Sequence, residues 1–202
     1  MIIIIDYGMG NIGSILNMFK RIGVKSKISS NLEEIKSATK LLLPGVGSFD
    51  KAMLRIKNSN IKQVLDYKVL EKKTPILGIC LGMQLLTRSS QEGNEEGLAY
   101  IDAHTKRFSF EDKKMKVPHM GWNFVHKFAK SELTDGFLED SRFYFVHSYY
   151  VEVKNQENSI LKTNYGFEFD SAIQNENIYG AQFHPEKSHK FGMKLLENFS
   201  KI

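Results

Sequence analysis

The 202-residue chain holds one cysteine, Cys80, in the stretch PILGICLGMQLL (75–86), with Gly78 two positions before it and Gly82 two positions after. An apolar, β-branched run ends at the thiol, and a helical pattern begins just after it. A nucleophile at the tip of such a strand-to-helix turn sits at the carboxyl edge of a sheet, where α/β folds place their sites. The turn is tight, so the neighbours two positions away must be small. The hydrolase elbow has this form with serine at its apex. A helix starting at Leu81 points its free N–H groups at the sulfur, which favours the thiolate and offers the Leu81 N–H to an oxyanion. The plain alternative is a buried cysteine closing a core strand, the commoner role of a lone thiol.

A thiolate nucleophile needs a base, and the base needs a group that orients it. Among six histidines, His184 in YGAQFHPEKS stands at the end of an apolar run, with Glu186 two residues on. Residues two apart on extended chain share a face, and Pro185 stiffens the backbone between them. Alone, such a pair is ordinary surface; with the cysteine elbow, in the order Cys, His, Glu, it makes a nucleophile, base and orienter. GMGNIG (8–13) is a second glycine pattern, with the form of a dinucleotide fingerprint. The second strand ends in KISSN and carries no acidic tip to grip a ribose, so no dinucleotide is expected there.

The totals narrow the rest. The net charge is +5, from 28 Lys and Arg against 23 Asp and Glu that are interleaved rather than blocked. That is a solvated mixed surface, and no nucleic-acid partner is expected. One cysteine excludes an internal disulfide and a multi-cysteine metal site, so neither metal nor cofactor is expected. MIIIIDYG has no basic leader, and its apolar run is too short for a membrane span; a cytoplasmic, reducing setting is expected, with no membrane partner.

The elements that must position these residues follow from periodicity. Residues 2–5 and 40–43 read as strands buried on both faces, and residues 25–29 as a short strand between them. Helices are expected over 14–22, 32–38 and 50–70. A strand over 76–79 leads into Cys80, and a helix over 81–88 leaves it. This βαβαβαβα order predicts an α/β doubly wound, mostly parallel central sheet with flanking helices. The second half reads as additional, antiparallel strands over 103–110, 124–127, 142–153, 161–163, 172–174 and 178–183, closed by a helix over 191–199. No linker-like tract divides the halves, so residues 1–202 are expected to form one domain.

PGVGSF, GICLGMQLL and FHPEKS together resemble the class I (triad) glutamine amidotransferases. DYGMGNIGS, PHMGWN and FVHSYY extend the likeness over almost the whole chain, toward the glutaminase subunits of bacterial imidazole glycerol phosphate synthases in histidine biosynthesis. The resemblance implies Cys80 as nucleophile, His184 as base and Glu186 as its orienter. It implies that the strand before PGVG supplies a second oxyanion donor, the Val46 N–H, beside Leu81. L-glutamine would be held by Gln84, one helical turn after Cys80, with Gly47, Glu92, Ser148 and Tyr149 in the same pocket. A cyclase or synthase subunit would dock as a heterodimer and receive ammonia through a closed interface, with Met120, Trp122, Tyr144 and Lys187 facing it. Trp122 could equally be an ordinary core tryptophan. Two features depart from that subunit: Gly13 replaces a basic or bulky residue, and AYIDAHTKRF and HPEKSHKFGMKLLENF resemble a paralogous branch that feeds a synthetase forming acetamidino groups on bacterial surface sugars. A non-catalytic binding module on the same fold is disfavoured because all three triad positions are intact.

Overall fold

The computed structural model describes residues 1–202. Its first half alternates strand and helix: β1 (Ile2–Ile5), α1 (Ile12–Arg21), β2 (Ser26–Ser29), α2 (Leu32–Ser37), β3 (Lys40–Gly45), α3 (Phe49–Asn58), α4 (Ile61–Leu65), β4 (Ile76–Cys80) and α5 (Leu81–Leu85). The second half supplies β5 (Ser89–Ser90), β6 (Ala103–Arg107), β7 (His119–Phe124), β8 (His126–Lys127), β9 (Arg142–His147), β10 (Tyr149–Val153), β11 (Ser159–Tyr165), β12 (Phe167–Asn175), β13 (Ile178–Ala181) and the closing helix α6 (His189–Lys201).

The main sheet runs β2-β1-β3-β4-β13-β12-β10-β6-β5, with β11 and β8 branching from β12. Its first five strands are parallel, and β12, β10 and β6 continue it antiparallel. The reason lies in the residues. Ile3 and Ile5 face one apolar core while Ile2 and Ile4 face the other, and Leu41 and Leu43 oppose Leu42 in the same way. A strand covered on both faces needs apolar side chains at every position, which is the pattern of a parallel sheet wrapped by helices. The chain is therefore α/β, doubly wound, with antiparallel strands added by the second half.

Three expected elements are redrawn. The helix over 50–70 is interrupted: α3 ends at Asn58, the Ser59 hydroxyl caps the Arg55 carbonyl, and Asn60 turns to φ 59°. The chain restarts as α4 and widens into a π-helical segment, Asp66–Glu71. The helix after Cys80 lasts only to Leu85, because the backbone then turns to place Ser89–Ser90 beside β6. The strand over 142–153 is two strands that break at Ser148: β9 leaves the main sheet to pair with β7 in a separate two-stranded sheet, while β10 stays in the main one. The residues at that break, Val146 to Tyr149, line the same cavity as Cys80. No helix is long and apolar enough to cross a membrane.

Candidate active site

The β4–α5 turn answers for the two glycines around Cys80. Cys80 has φ 53° and ψ −110°, a strained conformation for a side-chain-bearing residue. A Cβ on Gly78 would lie 2.6 Å from the Gly82 carbonyl oxygen, and one on Gly82 would lie 1.8 Å from the Leu43 carbonyl oxygen. Both obstacles are backbone, so nothing flexible can give way. The turn closes only with glycine at both places, and the closed turn holds the thiol at the strained apex.

His184 follows β13, the strand beside β4. Its backbone is pinned across to β9: the His184 N–H donates to the Tyr144 carbonyl at 2.9 Å, and the Ser188 hydroxyl accepts from the Tyr144 N–H at 3.0 Å while donating to the His184 carbonyl at 2.6 Å. Pro185 starts a single 3-10 turn that swings Glu186 back under the ring. His184 Nδ1 and Glu186 Oε1 are 2.7 Å apart, and both side chains are 3% exposed. His184 Nε2 is buried with no well-aligned hydrogen bond. Burial opposes the imidazolium, but the hydrogen bonds and charges of Cys80 and Glu186 outweigh it and push the ring up to about 10. A thiol and an imidazole coupled in this way can exist as an ion pair, which is the state a cysteine nucleophile works in.

These groups sit at a cavity of about 340 Å³ lined by Val46, Gly47, Cys80, Leu81, Gln84, Glu92, Pro118, Val146, His147, Ser148, Tyr149 and His184. The volume suits a small metabolite. The expected pocket residues Gly47, Gln84, Glu92, Ser148 and Tyr149, and the expected donors' residues Val46 and Leu81, thus converge with Cys80 and His184 on one space. Glu92 also accepts a hydrogen bond from the Phe49 N–H at 3.0 Å, which fixes it at the start of α3. Burial raises the Glu92 carboxyl, the Phe49 N–H works against that rise, and the Asp50 charge adds to it. Gln84 Nε2 donates to the Tyr149 carbonyl and to Gln182 Oε1, both at 3.2 Å. Its carbonyl oxygen is left without a protein partner, an acceptor suited to an ammonium group.

Met120, Trp122, Tyr144 and Lys187 lie elsewhere, on the outer face of the β7–β9 sheet. Met120 is 61% exposed and Trp122 45%, so the tryptophan is no core residue. Trp122 pairs in register with Tyr144, stacks on His189 at 5.7 Å, and meets Tyr144 edge-on. Lys187 Nζ lies 5.5 Å from the centre of the Tyr144 ring. Val146, the cross-strand partner of Met120, lines the cavity, so this apolar face adjoins the site.

Sequence reasoning missed Gln182, whose Nε2 lies 3.8 Å from Cys80 Sγ. Its position two residues before His184 on extended chain was the available signal. It also missed Tyr7, whose hydroxyl donates to the Pro44 carbonyl at 2.7 Å beside the PGVG turn, and His147, which lines the cavity. The glycines of GMGNIG do different work from a nucleotide loop: the Gly8 carbonyl is taken by the Arg55 guanidinium, and a Cβ on Gly10 would touch Gly45 of β3.

Comparison with known proteins gives the chain's family. Relatives named imidazole glycerol phosphate synthase subunit HisH 2 are 56% identical in Methanococcus maripaludis, over 100% of this chain and 99% of the relative, and 50% identical in Pseudomonas aeruginosa over the whole of both chains. A subunit named HisH from Bdellovibrio bacteriovorus is 46% identical, again over both whole chains. Among solved structures, one described as a glutamine amidotransferase superposes with a TM-score of 0.74 at 15% identity, covering 99% of each chain. PurLQS from Thermotoga maritima gives 0.71 at 16%, covering 99% of this chain and 97% of that one. At those identities the likeness speaks for the fold alone. The family profile of the class-I glutamine amidotransferases matches residues 3–202, and the chain, with its strained cysteine, buried His–Glu pair and shared cavity, belongs to that family.

Proposed function

We propose that this chain is a glutaminase subunit that hydrolyses L-glutamine and hands ammonia to a docked synthase making imidazole glycerol phosphate and AICAR in histidine biosynthesis. The observation that carries the reading is the strained Cys80 in the lining of the cavity, beside His184 of the buried His184–Glu186 pair. Cys80 Sγ attacks the side-chain amide carbon, and the carbonyl electrons move onto oxygen, where the N–H groups of Leu81 and Val46 are the proposed donors. The tetrahedral species collapses with cleavage of the C–N bond, and the His184 imidazolium gives its proton to the departing ammonia. Water, deprotonated by His184, then attacks the γ-glutamyl thioester and releases glutamate and the free thiolate. Glu186 holds the ring and stabilises its cation. Glu92 and the free Gln84 carbonyl oxygen supply acceptors for the α-ammonium group, with Gly47, Ser148 and Tyr149 completing the pocket.

Ammonia released in water would be protonated and lost, so the apolar face around Met120, Trp122, Tyr144 and Lys187 is read as the docking surface of the heterodimer. The relatives are named as subunits of a synthase, which supports a partner of that kind. The reaction is placed in the cytoplasm, where reducing conditions keep the lone thiol free. Two of these relatives carry the number 2 in their names, and this keeps a second acceptor in view: a sugar-modifying synthetase that makes acetamidino groups. The test is ammonia and glutamate release by the chain alone, with a candidate synthase, and with synthase plus its acceptor. Stimulation by the imidazole-forming synthase supports the first acceptor, and stimulation by the sugar synthetase alone replaces it with the second. No hydrolysis under any condition refutes the glutaminase reading.

A further inference from the structure

His119 and His147 form a buried pair with no role in the chemistry above. They face each other across β7 and β9, in register, with His119 Nδ1 3.0 Å from His147 Nε2. His119 is 2% exposed and His147 6%. Their neighbours fix every proton. His147 Nδ1 lies 2.7 Å from the Tyr149 carbonyl, which can only accept, so Nδ1 carries the hydrogen. Burial holds both rings neutral, His147 down to about 3 and His119 down to about 4. A neutral His147 protonated at Nδ1 offers a lone pair at Nε2, so His119 must donate from Nδ1. His119 Nε2 is then an acceptor, and the Asn123 amide supplies its donor at 3.2 Å while also donating to the Asn164 carbonyl at 2.9 Å.

The chain of bonds continues to the pocket wall. The Tyr149 carbonyl that accepts from His147 also accepts from Gln84 Nε2, whose other hydrogen goes to Gln182. The two ends of an amide have nearly the same shape, and only its partners decide which end faces the cavity. With Tyr149 as a fixed acceptor, Gln84 must present NH₂ to the protein, and the oxygen is the end left free. Were the carbonyl to turn away, the amide could flip and set a donor against the ammonium group of an amino acid.

We infer that His119 and His147 are positioning residues for the glutamine site, a tautomer-locked pair that holds the Tyr149 carbonyl and thereby the orientation of the Gln84 amide. The inference rests on the glutaminase reading for its ligand. His119 acts through its N–H: by filling Nε2 of His147 it keeps the His147 proton on Nδ1. The His119 ring is also stacked between Phe145, at 4.7 Å, and Tyr165, at 4.0 Å, so a phenylalanine would keep the stack and lose the hydrogen bonds.

The test uses the full-length chain with Cys80→Ala, so that glutamine binds without turnover, and titrates L-glutamine by calorimetry. Adding His119→Phe should weaken binding about fivefold, the effect of one oriented hydrogen bond. His119→Asn, whose amide nitrogen can stand where Nδ1 stood, should bind within twofold of the histidine chain despite losing the stack. A packing role predicts the reverse order. Equal affinity in the phenylalanine and histidine chains overturns the inference, whereas failure of the histidine chain itself to bind glutamine overturns the glutaminase reading instead. Nitrogen-15 spectra of the imidazoles decide the matter even if His119→Phe does not fold. A His147 protonated at Nδ1 is the expected result, and one protonated at Nε2 refutes the lock.

Discussion

Gly82→Ala adds one methyl group and should damage both the fold and the site. The new Cβ would stand 1.8 Å from the Leu43 carbonyl oxygen and 2.9 Å from its carbon. A carbon and a carbonyl oxygen settle at roughly 3.3 Å or more, so the backbones must part by about 1.5 Å. Neither side yields easily: Leu43 is fully buried in β3, which is paired on both edges, and Gly82 lies in the turn that holds Cys80. Overpacking of this kind costs about 1–3 kcal/mol, and contact with the backbone of a buried central strand puts it at the upper end. For a chain of this size that lowers Tm by roughly 6–12 °C. The strand that must retreat continues into Pro44 and Gly45, beside the cavity, and a misplacement of about 1 Å at a reacting centre can cost on the order of 10²-fold in rate. Differential scanning calorimetry and ammonia release in the presence of partner measure the two effects. Gly13→Ala is the control, since a Cβ there meets nothing within 4 Å on helix α1. The same methyl group should raise stability by up to about 1 kcal/mol and leave activity alone. A Gly82→Ala protein with unchanged Tm and unchanged rate would refute the elbow reasoning.

Cys80→Ala should lower ammonia release by about 10³-fold or more while leaving the fold intact, as judged by an unchanged melting transition. Glu186→Gln should move the alkaline limb of the pH–rate profile, set by His184 near 10, to lower pH, because the Glu186 bond and charge help hold the proton on the ring; an unmoved limb would argue that Glu186 does not act through His184. The raised His184 value contributes stability that is complete below about 6.5 and fades as pH rises through about 10. The lowered values of His119 and His147 work the other way: their contribution is present above 6.5 and is lost as pH falls toward 4 and 3, at up to about 1.4 kcal/mol per pH unit per histidine. Urea titrations at pH 7 and pH 5 measure that loss, which should shrink in the His119→Phe chain. Trp122→Ala should weaken association with the synthase in a sedimentation assay without lowering Tm, since its ring is half exposed; undiminished association would move the docking surface elsewhere.

The sequence made some of this legible because the causes were local. Strand β1 runs Ile2–Ile5 as its β-branched run required. The elbow announced itself through two glycines because the steric demand falls on the same short segment as the thiol. His184 and Glu186 could be read together because a two-residue spacing on extended chain is a statement about one face. Other features have non-local causes. The segment 142–153 alternates evenly across Ser148, and nothing in its composition says that one part leaves the main sheet for β7. The His119–His147 contact joins residues 28 positions apart and exists only because of that pairing. Gln84 was expected to hold L-glutamine, but no sequence pattern indicates that the Tyr149 carbonyl and Gln182 use its nitrogen, since both partners are remote in the chain. The break in the helix after Asn58 was visible in NSN, three turn-forming residues that the apolar periodicity around them concealed.

Strand β7 also carries a consequence for how such a chain can change allegiance. Its residues alternate, with His119 and Asn123 inward in the bond chain to the pocket, and Met120, Trp122 and Phe124 outward and exposed. Under the proposed function, inward positions answer to glutamine, while outward positions answer to whichever protein receives the nitrogen. Because the two sets interleave on one strand without sharing a residue, mutation can rewrite the even-numbered positions while selection freezes the odd-numbered ones. After gene duplication, one copy could acquire a different client through a few surface exchanges and inherit its hydrolytic machinery unchanged.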